Sequence, residues 1–241
     1  MNDKVSCKTC SSHYDCFIGK NCSAQWVDIV DSSKEQHWYK KGHYIFKQGN
    51  HVEGIYFVCQ GKIKVITNSF RGAEQIVRLA SNGHILGHKG LENDVYSISA
   101  IAMTNSLVCF VDNHTLDALF THNPQLSHAL MLFYSRELRK SQLRMMYLGQ
   151  MNVREKVAEV LLYINTIFGT NADDGTLNMD SCRQEIAKLI CISNDQITKQ
   201  LKNFVEEELI TKLKRSIRLI NPQGLEKIVR HYKIEELHRQ Q

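Results

Sequence analysis

The sequence predicts an α+β protein that consists of a β-roll of the jelly-roll type, a long helix and a C-terminal winged helix-turn-helix. The roll is predicted because residues 40–112 contain short apolar runs separated by glycine turns. The long helix is predicted because apolar residues recur every three or four positions over residues 124–149. The winged helix-turn-helix is predicted because two helix-capping patterns, separated by a short break, precede a pair of short strands.

These patterns divide the chain into a cysteine-rich N-terminal arm (1–24), the roll (25–122), a dimerisation helix (123–149) and the winged helix-turn-helix domain (150–241). No apolar stretch approaches the ~20 residues that span a bilayer. The N-terminus lacks an apolar signal core, so a cytoplasmic protein without a membrane partner is expected. Because cytosolic thiols stay reduced, the eight cysteines are expected to be metal ligands, redox groups or packing residues rather than disulfides.

The arm carries four cysteines in the spacing C-x2-C-x5-C-x5-C, namely Cys7, Cys10, Cys16 and Cys22. Small polar residues surround them, so this segment is expected to have no core of its own and to need a metal centre to hold it. Thiolates favour zinc or an iron–sulfur cluster, and a reactive thiol pair is a third alternative. The spacing alone leaves these three alternatives open.

The roll is predicted from a run of strands. Residues 54–67 contain two strands on either side of a Gln60-Gly61 turn, and further strands are expected around residues 75–79 and 97–102. The run 107–111 is apolar throughout, which predicts a buried strand. Of the four cysteines outside the arm, three are expected to be packing residues: Cys59, Cys182 and Cys191.

The long helix begins with Pro124 in its first turn and closes at Gly149, as proline and glycine favour. Its seam at spacings of three and four consists of Met131, Tyr134, Leu138, Ser141, Met145 and Leu148. A partner helix could cover such a seam, which predicts a homodimer. The alternative is a helix packed on its own domain.

The C-terminal third is net basic, with 12 Lys/Arg against 8 Asp/Glu in residues 183–241, which suggests a polyanionic partner. Capping patterns at 181–184 and 193–196 open two helices, and residues 209–220 predict the wing. The second helix should enter the major groove of duplex DNA, where lysine can bind guanine and aspartate can bind cytosine. The expected DNA contacts are Arg183, Asn194, Asp195, Thr198, Lys199, Lys202, Lys212, Lys214 and Arg215.

The order of glycine-turn strands, the stretch 83–87, a last strand, a short helix and a long helix resembles the CRP/FNR family of bacterial regulators. In the cyclic-AMP branch of that family, a Gly-Glu-Leu signature takes the ribose and a later arginine takes the cyclic phosphate. This chain has Gly87-His88-Lys89 there, and it has no arginine between Arg78 and Arg136. A buried phosphate needs a matching cation, so no cyclic nucleotide is expected.

The resemblance to the FNR branch, the oxygen-sensing fumarate and nitrate reduction regulators, is more specific. Cys7, Cys10 and Cys16 repeat the C-x2-C-x5-C of that branch, and residues 106–119 resemble the stretch around its fourth cluster cysteine, here Cys109. The resemblance implies a [4Fe–4S] cluster on these four thiols, with Cys22 as a spare or alternative fourth ligand. The alternative for Cys109 is a small buried hydrophobe in a strand.

The resemblance also implies a homodimer that binds a palindromic operator and RNA polymerase, and that releases DNA when oxygen or nitric oxide degrades the cluster. Ser141 stands where the oxygen sensor carries an aspartate, and Asp195, Thr198 and Lys199 stand where the family has Glu, Ser and Arg. Two alternatives remain: a regulator of the same fold with a zinc or thiol switch, and a small-molecule-binding module that does not bind DNA. No catalytic motif stands out, so an enzyme is not expected.

Overall fold

The computed structural model describes residues 4–68, 72, 74–88, 94–179, 183–213 and 216–232. The chain forms two compact units, Met1–Ser135 and Arg136–Gln241, and each is considered by itself. The boundaries of the four segments predicted from the sequence stay a prediction. Several predicted residues lie outside the described ranges, namely Lys89, Ser181, Cys182, Lys214 and Arg215.

The first unit begins with two helices and continues with strands. The helices are α1 (Phe17–Asn21) and α2 (Ala24–Ser33). The strands are β1 (Glu35–Tyr39), β2 (Tyr44–Phe46), β3 (Gly54–Gln60), β4 (Ile63–Asn68), β5 (Glu74–Ala80), β6 (Ile85–Leu86), β7 (Ser99–Ala102) and β8 (Ser106–Asp112). Two further helices follow, α3 (Asn113–His122) and α4 (Pro124–Gln150). The sequence did not predict α1, α2 or β1.

Within the described ranges, the strands form two antiparallel sheets of four, in the orders β1-β8-β3-β6 and β2-β7-β4-β5. The tight turn at Gly61, which has a φ of 127°, therefore passes the chain from one sheet to the other instead of closing a hairpin. The facing sides of the sheets enclose an apolar core that includes Val58, Ile63, Val65 and Val108. This arrangement confirms the predicted roll.

The other face of the β3–β8 sheet carries a second apolar cluster, which we call the outer-face cluster. Successive side chains of a strand point to opposite faces, so Ile55 and Phe57 of β3 lie on this side while Val58 points inward. They pack with Ile18 of α1 and Val30 of α2, both of which are buried. The arm therefore has no separate core, as expected, but it packs on the roll, so a metal centre is not the only contact that holds it.

The predicted long helix is confirmed as α4. Leu126, in its first turns, is buried in the outer-face cluster. Further along, Met131, Leu138 and Met145 are 68%, 62% and 74% exposed, so this side of α4 is apolar and uncovered within one chain. No helix in the described part of the chain is both long enough and apolar enough to cross a membrane.

The second unit is a helical domain with a wing. Its elements are α5 (Val153–Phe168), α6 (Arg183–Ile190), α7 (Asn194–Glu206), β9 (Ile210–Leu213), β10 (Ser216–Leu219) and α8 (Pro222–Val229). The side chains of Asn152, Ser193 and Asn221 each accept a backbone N–H at the start of a helix, which confirms the cap predicted at 193–196. Cys191 lies in the turn between α6 and α7 with a φ of 56° and is exposed, so its predicted packing role was wrong.

Candidate metal centre and nucleic-acid interface

Thiols from the arm and the roll meet in one pocket, which we call the thiol pocket. Its sulfurs come from Cys7, Cys10, Cys16, Cys59 and Cys109. They surround a cavity of about 30 Å³, which has room for about two water molecules. The four predicted cluster cysteines are thus brought together, although Cys109 lies in a strand far along the chain from the other three. Their role as ligands stays a prediction.

The pairing of β3 with β8 explains how the roll supplies two of these sulfurs. Cys109 is paired with Phe57, and Cys59 lies two residues further along β3, within a bulge between Val58 and Gln60. Both cysteines therefore point to the outer face. The Sγ atoms of Cys10 and Cys59 are 3.4 Å apart. Cys59 was expected to be a packing residue, and it instead lines the thiol pocket.

Two polar side chains donate hydrogen bonds to sulfurs of the pocket. Lys34 Nζ lies 3.1 Å from Cys7 Sγ and 2.7 Å from the carbonyl oxygen of Val5, and its side chain is only 1% exposed. Gln36 Nε2 lies 3.2 Å from Cys109 Sγ. Ammonium and amide N–H groups can only donate, so they stabilise the thiolate forms that bind metals.

The surroundings shift the pKa values of Cys109 and Cys7 in opposite directions. The pKa of Cys109 is lowered to about 6 because Cys59 donates a hydrogen bond to it and Gln36 donates another, which outweighs burial. Burial raises the pKa of Cys7 to about 11 in spite of the hydrogen bond from Lys34. These hydrogen bonds favour the thiolate form of Cys109, which is the form that ligates metals.

The donor set fits an iron–sulfur centre in chemistry. Four thiols and two N–H donors to sulfur are the groups that hold such clusters and set their potential. Among the described residues, no three His, Cys, Asp or Glu side chains already converge on a point that could hold one metal ion. A centre of several atoms would need more than the present cavity, so the arm loop would have to move away from β3 to admit it.

Cys22, the alternative fourth ligand, lies beside this pocket. It packs against the outer-face cluster together with Cys16, whereas the cavity wall is formed by the five other thiols named above. Burial raises the pKa of Cys22 to about 11, and the neighbouring Cys16 adds to the shift. The geometry therefore favours Cys109 over Cys22 for the fourth position.

The described part of the predicted DNA-reading surface lies on α7 and around it. Ile197, Leu201 and Phe204 are buried against the unit, and the opposite side exposes its polar residues: Asn194, Asp195, Lys199 and Lys202. Such an amphipathic helix leaves its N-terminal side chains free to reach base edges. Ser193 and Gln196 close a capping box at its start, so the first turn is fixed.

A basic rim adjoins this helix. Arg183 Nη1 donates to Thr198 Oγ1 at 3.3 Å, and Thr198 in turn donates to the carbonyl of Asn194. Burial and the charge of Arg183 lower the pKa of Lys212. Lys212 of the wing is therefore close enough to Arg183 of α6 for the two positive charges to repel each other. Lys202 pairs with Glu206 at 3.6 Å, and both side chains remain exposed.

Two family models match the chain. One, described as the cyclic nucleotide-binding domain, matches residues 36–123, and the other, the Crp-like helix-turn-helix domain, matches residues 155–228. The chain belongs to the CRP/FNR family. It is a DNA-binding transcriptional regulator rather than an enzyme, so the alternative of a module that does not bind DNA was wrong.

Relatives of this CRP/FNR chain include anaerobic regulators. The transcriptional activator protein Anr of Pseudomonas protegens is 27% identical over 92% of this chain and 91% of its own. The fumarate and nitrate reduction regulatory protein of Vibrio cholerae is 24% identical over 90% and 87%. The structure of FixK2 from Bradyrhizobium japonicum superposes with a TM-score of 0.71 at 22% identity, over 81% of this chain and 96% of its own.

The predicted dimer seam of this CRP/FNR chain is partly free. Four of its six residues are exposed, namely Met131, Leu138, Ser141 and Met145. Tyr134 is half-buried and donates a hydrogen bond to the carbonyl of His88 in the roll. Leu148 is half-buried as well.

Proposed function

We propose that this CRP/FNR regulator is a homodimer that senses oxygen or redox state through a [4Fe–4S] cluster held by Cys7, Cys10, Cys16 and Cys109. The observation that carries the proposal is the thiol pocket, in which Cys109 of the roll faces three thiols of the arm. Such a cluster supplies an inorganic centre that oxygen or nitric oxide can degrade. Everything else in the mechanism depends on the chain's own residues.

The polar residues beside the pocket hold the arm in place. Lys34 and Gln36 both donate to the carbonyl of Val5, at 2.7 and 3.1 Å, and the same two side chains donate to sulfurs of Cys7 and Cys109. Each therefore joins the backbone of the arm to a proposed ligand. A change at the sulfurs would loosen the hydrogen bonds that fix the arm to the sheet.

The outer-face cluster connects the arm to the long helix. Ile18 of the arm and Val30 of α2 share this core with Leu116 and Leu119 of α3 and with Leu126 of α4. A binding event that shifts the arm therefore changes the packing of the start of α4. A ligand alters a conformational equilibrium only by binding one state better than the other, and this shared core provides the physical link between the cluster and α4.

The remaining parts of the proposal concern assembly and DNA. The exposed stripe of Met131, Leu138 and Met145 fits a second copy of α4, and Ser141 brings no charge repulsion into that seam. Two such chains would present two α7 helices to the half-sites of a palindromic operator. RNA polymerase is the proposed further partner and the cytoplasm the proposed compartment.

The deciding experiment measures iron, acid-labile sulfide and visible absorption of protein purified without oxygen, before and after a pulse of air. The expected result is about four irons and four sulfides per chain, with the absorption lost on exposure. Cys109→Ser should lose both elements, and the matched variant Cys22→Ser should keep them. If Cys22→Ser loses the metal and Cys109→Ser keeps it, the proposed ligand set is wrong.

A zinc or thiol switch on the same fold is the second candidate. The close approach of Cys10 Sγ to Cys59 Sγ favours thiol chemistry in this pocket. One zinc per chain and no visible absorption after anaerobic purification would select this candidate over the cluster.

A further inference from the structure

We propose that Cys10 and Cys59 form a disulfide that fastens the arm to β3 when the thiol pocket is not loaded, and that this bond must be reduced before a cluster can bind. The disulfide itself stands on the geometry of the described residues. The statement about loading rests on the function proposed above. Cys59 has no place in the proposed ligand set, so this role is separate from ligation.

The two sulfurs are positioned for bonding. They lie 3.4 Å apart, and a disulfide of about 2.05 Å needs a further approach of only about 1.4 Å. The neighbouring backbone is held in place, because Ser12, which is buried, donates to the carbonyl of Cys59 at 2.7 Å. A backbone hydrogen bond from His13 to Cys10 closes the turn that carries the first sulfur.

Cys109 is the competing partner for Cys59, because Cys59 also donates a hydrogen bond to its sulfur. Cys109 is paired with Phe57, so Cys59 is its diagonal neighbour across the two strands. Cys10 is the partner we propose, because its sulfur lies 3.4 Å from that of Cys59.

The oxidation balances with a peroxide as oxidant. One thiolate attacks an oxygen of hydrogen peroxide, the O–O bond breaks, and a sulfenic acid and hydroxide result. The second thiol then attacks that sulfur and displaces its oxygen as water. In total, two thiols lose two protons and two electrons, one S–S bond forms, and one peroxide becomes two waters. A dithiol reductant reverses the bond by exchange.

The disulfide and a loaded pocket exclude each other. Cys10 belongs to the proposed ligand set, and a sulfur in a disulfide cannot act as a thiolate ligand. The bond would also keep the arm loop against β3, where the cavity of about 30 Å³ has room for only about two waters. The oxidised chain would keep a docked arm while it cannot accept a cluster.

The first test maps the bond in the full chain. Metal-free reduced protein is treated with one equivalent of hydrogen peroxide, its free thiols are alkylated, and it is digested without reductant for mass spectrometry. Trypsin releases Cys59 in peptide 48–62, and Cys10 together with Cys16 in peptide 9–20. Chymotrypsin then cleaves after Tyr14, which lies between Cys10 and Cys16, so the two cysteines are recovered in separate peptides.

The expected product is a Cys10–Cys59 link in at least half of the chains. The variant Cys22→Ser, which keeps both sulfurs, should give the same link, and Cys59→Ala should give none. Alkylated Cys59 in most wild-type chains, or Cys59 joined mainly to Cys109, would overturn the proposal. Because the map is made on the wild-type chain, it decides the question even if a variant folds poorly.

The second test measures loading. Oxidised wild-type protein is incubated anaerobically with ferrous iron and sulfide, with and without prior reduction by dithiothreitol. At least fivefold more iron should be retained after reduction, and the oxidised Cys59→Ala chain should load without it. Equal loading of oxidised and reduced wild type would overturn the exclusion. If reduced wild type fails to load at all, the proposed cluster is wrong, while the peptide map still decides the disulfide.

Discussion

The two faces of the β3–β8 sheet are built from the same strands but serve different partners. The inner face, with Val58 and Val108, packs on the second sheet and closes the roll. The outer face, with Phe57 and Cys109, packs on the arm and on the start of α4. The inner core therefore depends only on the roll, whereas the outer core depends on how the arm is held. The core of the roll and the proposed sensing surface therefore lie on opposite faces of one sheet.

The largest expected effect comes from comparing isoleucine truncations on the two faces. Ile63→Ala, at a fully buried inner position, should lower the free energy of unfolding by roughly 2–5 kcal/mol in urea, because it leaves a cavity between the sheets. Ile18→Ala on the arm should instead raise protease cleavage in residues 4–34 while the circular dichroism of the sheets persists. Equal loss of sheet structure in both variants would mean that the two faces are not separable.

The buried lysine allows a sharper test of the outer face. Lys34→Met removes the donor to Cys7 and the ion pair with Asp31, and should weaken arm docking by about 1–3 kcal/mol, measured as faster hydrogen exchange in α1 and α2. The control is Lys8→Met, whose ion pair with Asp28 is exposed and should contribute little because solvent screens it. Similar exchange rates in the two variants would show that Lys34 does not hold the arm.

Acid should release the arm before it unfolds the roll. Burial alone would raise the pKa of Asp31, but hydrogen bonds from Lys34, Ser6 and the Cys7 amide lower it below its usual value of 3.8. A carboxylate with a lowered pKa in the folded state stabilises docking fully above its unfolded pKa, and this stabilisation is lost progressively as the pH falls from there through the folded pKa. Trp26, stacked on His122 at 5.8 Å, should report undocking by its fluorescence below about pH 4, and Asp31→Asn should remove that pH dependence.

The smallest expected effect concerns one hydrogen bond. Ser12→Ala removes the buried bond to the carbonyl of Cys59 and should weaken arm docking by about 0.5–1.5 kcal/mol, again measured by hydrogen exchange in α1. The control is Ser11→Ala, since Ser11 is exposed. If Ser12→Ala exchanges like the control, the loop is not held against β3 through this contact.

Local chemistry made much of the second unit predictable. The capping residues Asn152, Ser193 and Asn221 lie within three residues of the backbone N–H groups that they accept, so the sequence next to each helix start already predicts it. In contrast, Ser23 at the N-cap position of α2 makes no side-chain capping bond, and β1 has no regular alternation of buried and exposed residues. Both were missed because their stability comes from distant parts of the first unit.

The thiol pocket was also only partly predictable from the sequence. The resemblance to the FNR branch pointed to Cys7, Cys10, Cys16 and Cys109, and the structure brings these residues together. Cys59 could not be found in this way, because its place depends on the register of β3 against β8. The alternation along β3 shows in the sequence which of its residues share a face, but the sequence does not show which strand β3 pairs with.

The position of β1 limits what the arm can do. This strand begins at Glu35, directly after Lys34, and lies at the edge of its sheet in contact with β8. Detachment of everything before it would leave both sheets complete but would bare Ile55, Phe57 and Val111 to water. Such a surface promotes self-association. The N-terminal segment therefore covers an aggregation-prone apolar surface. This favours a signal transmitted by small shifts of the covered interface over one that requires the segment to detach.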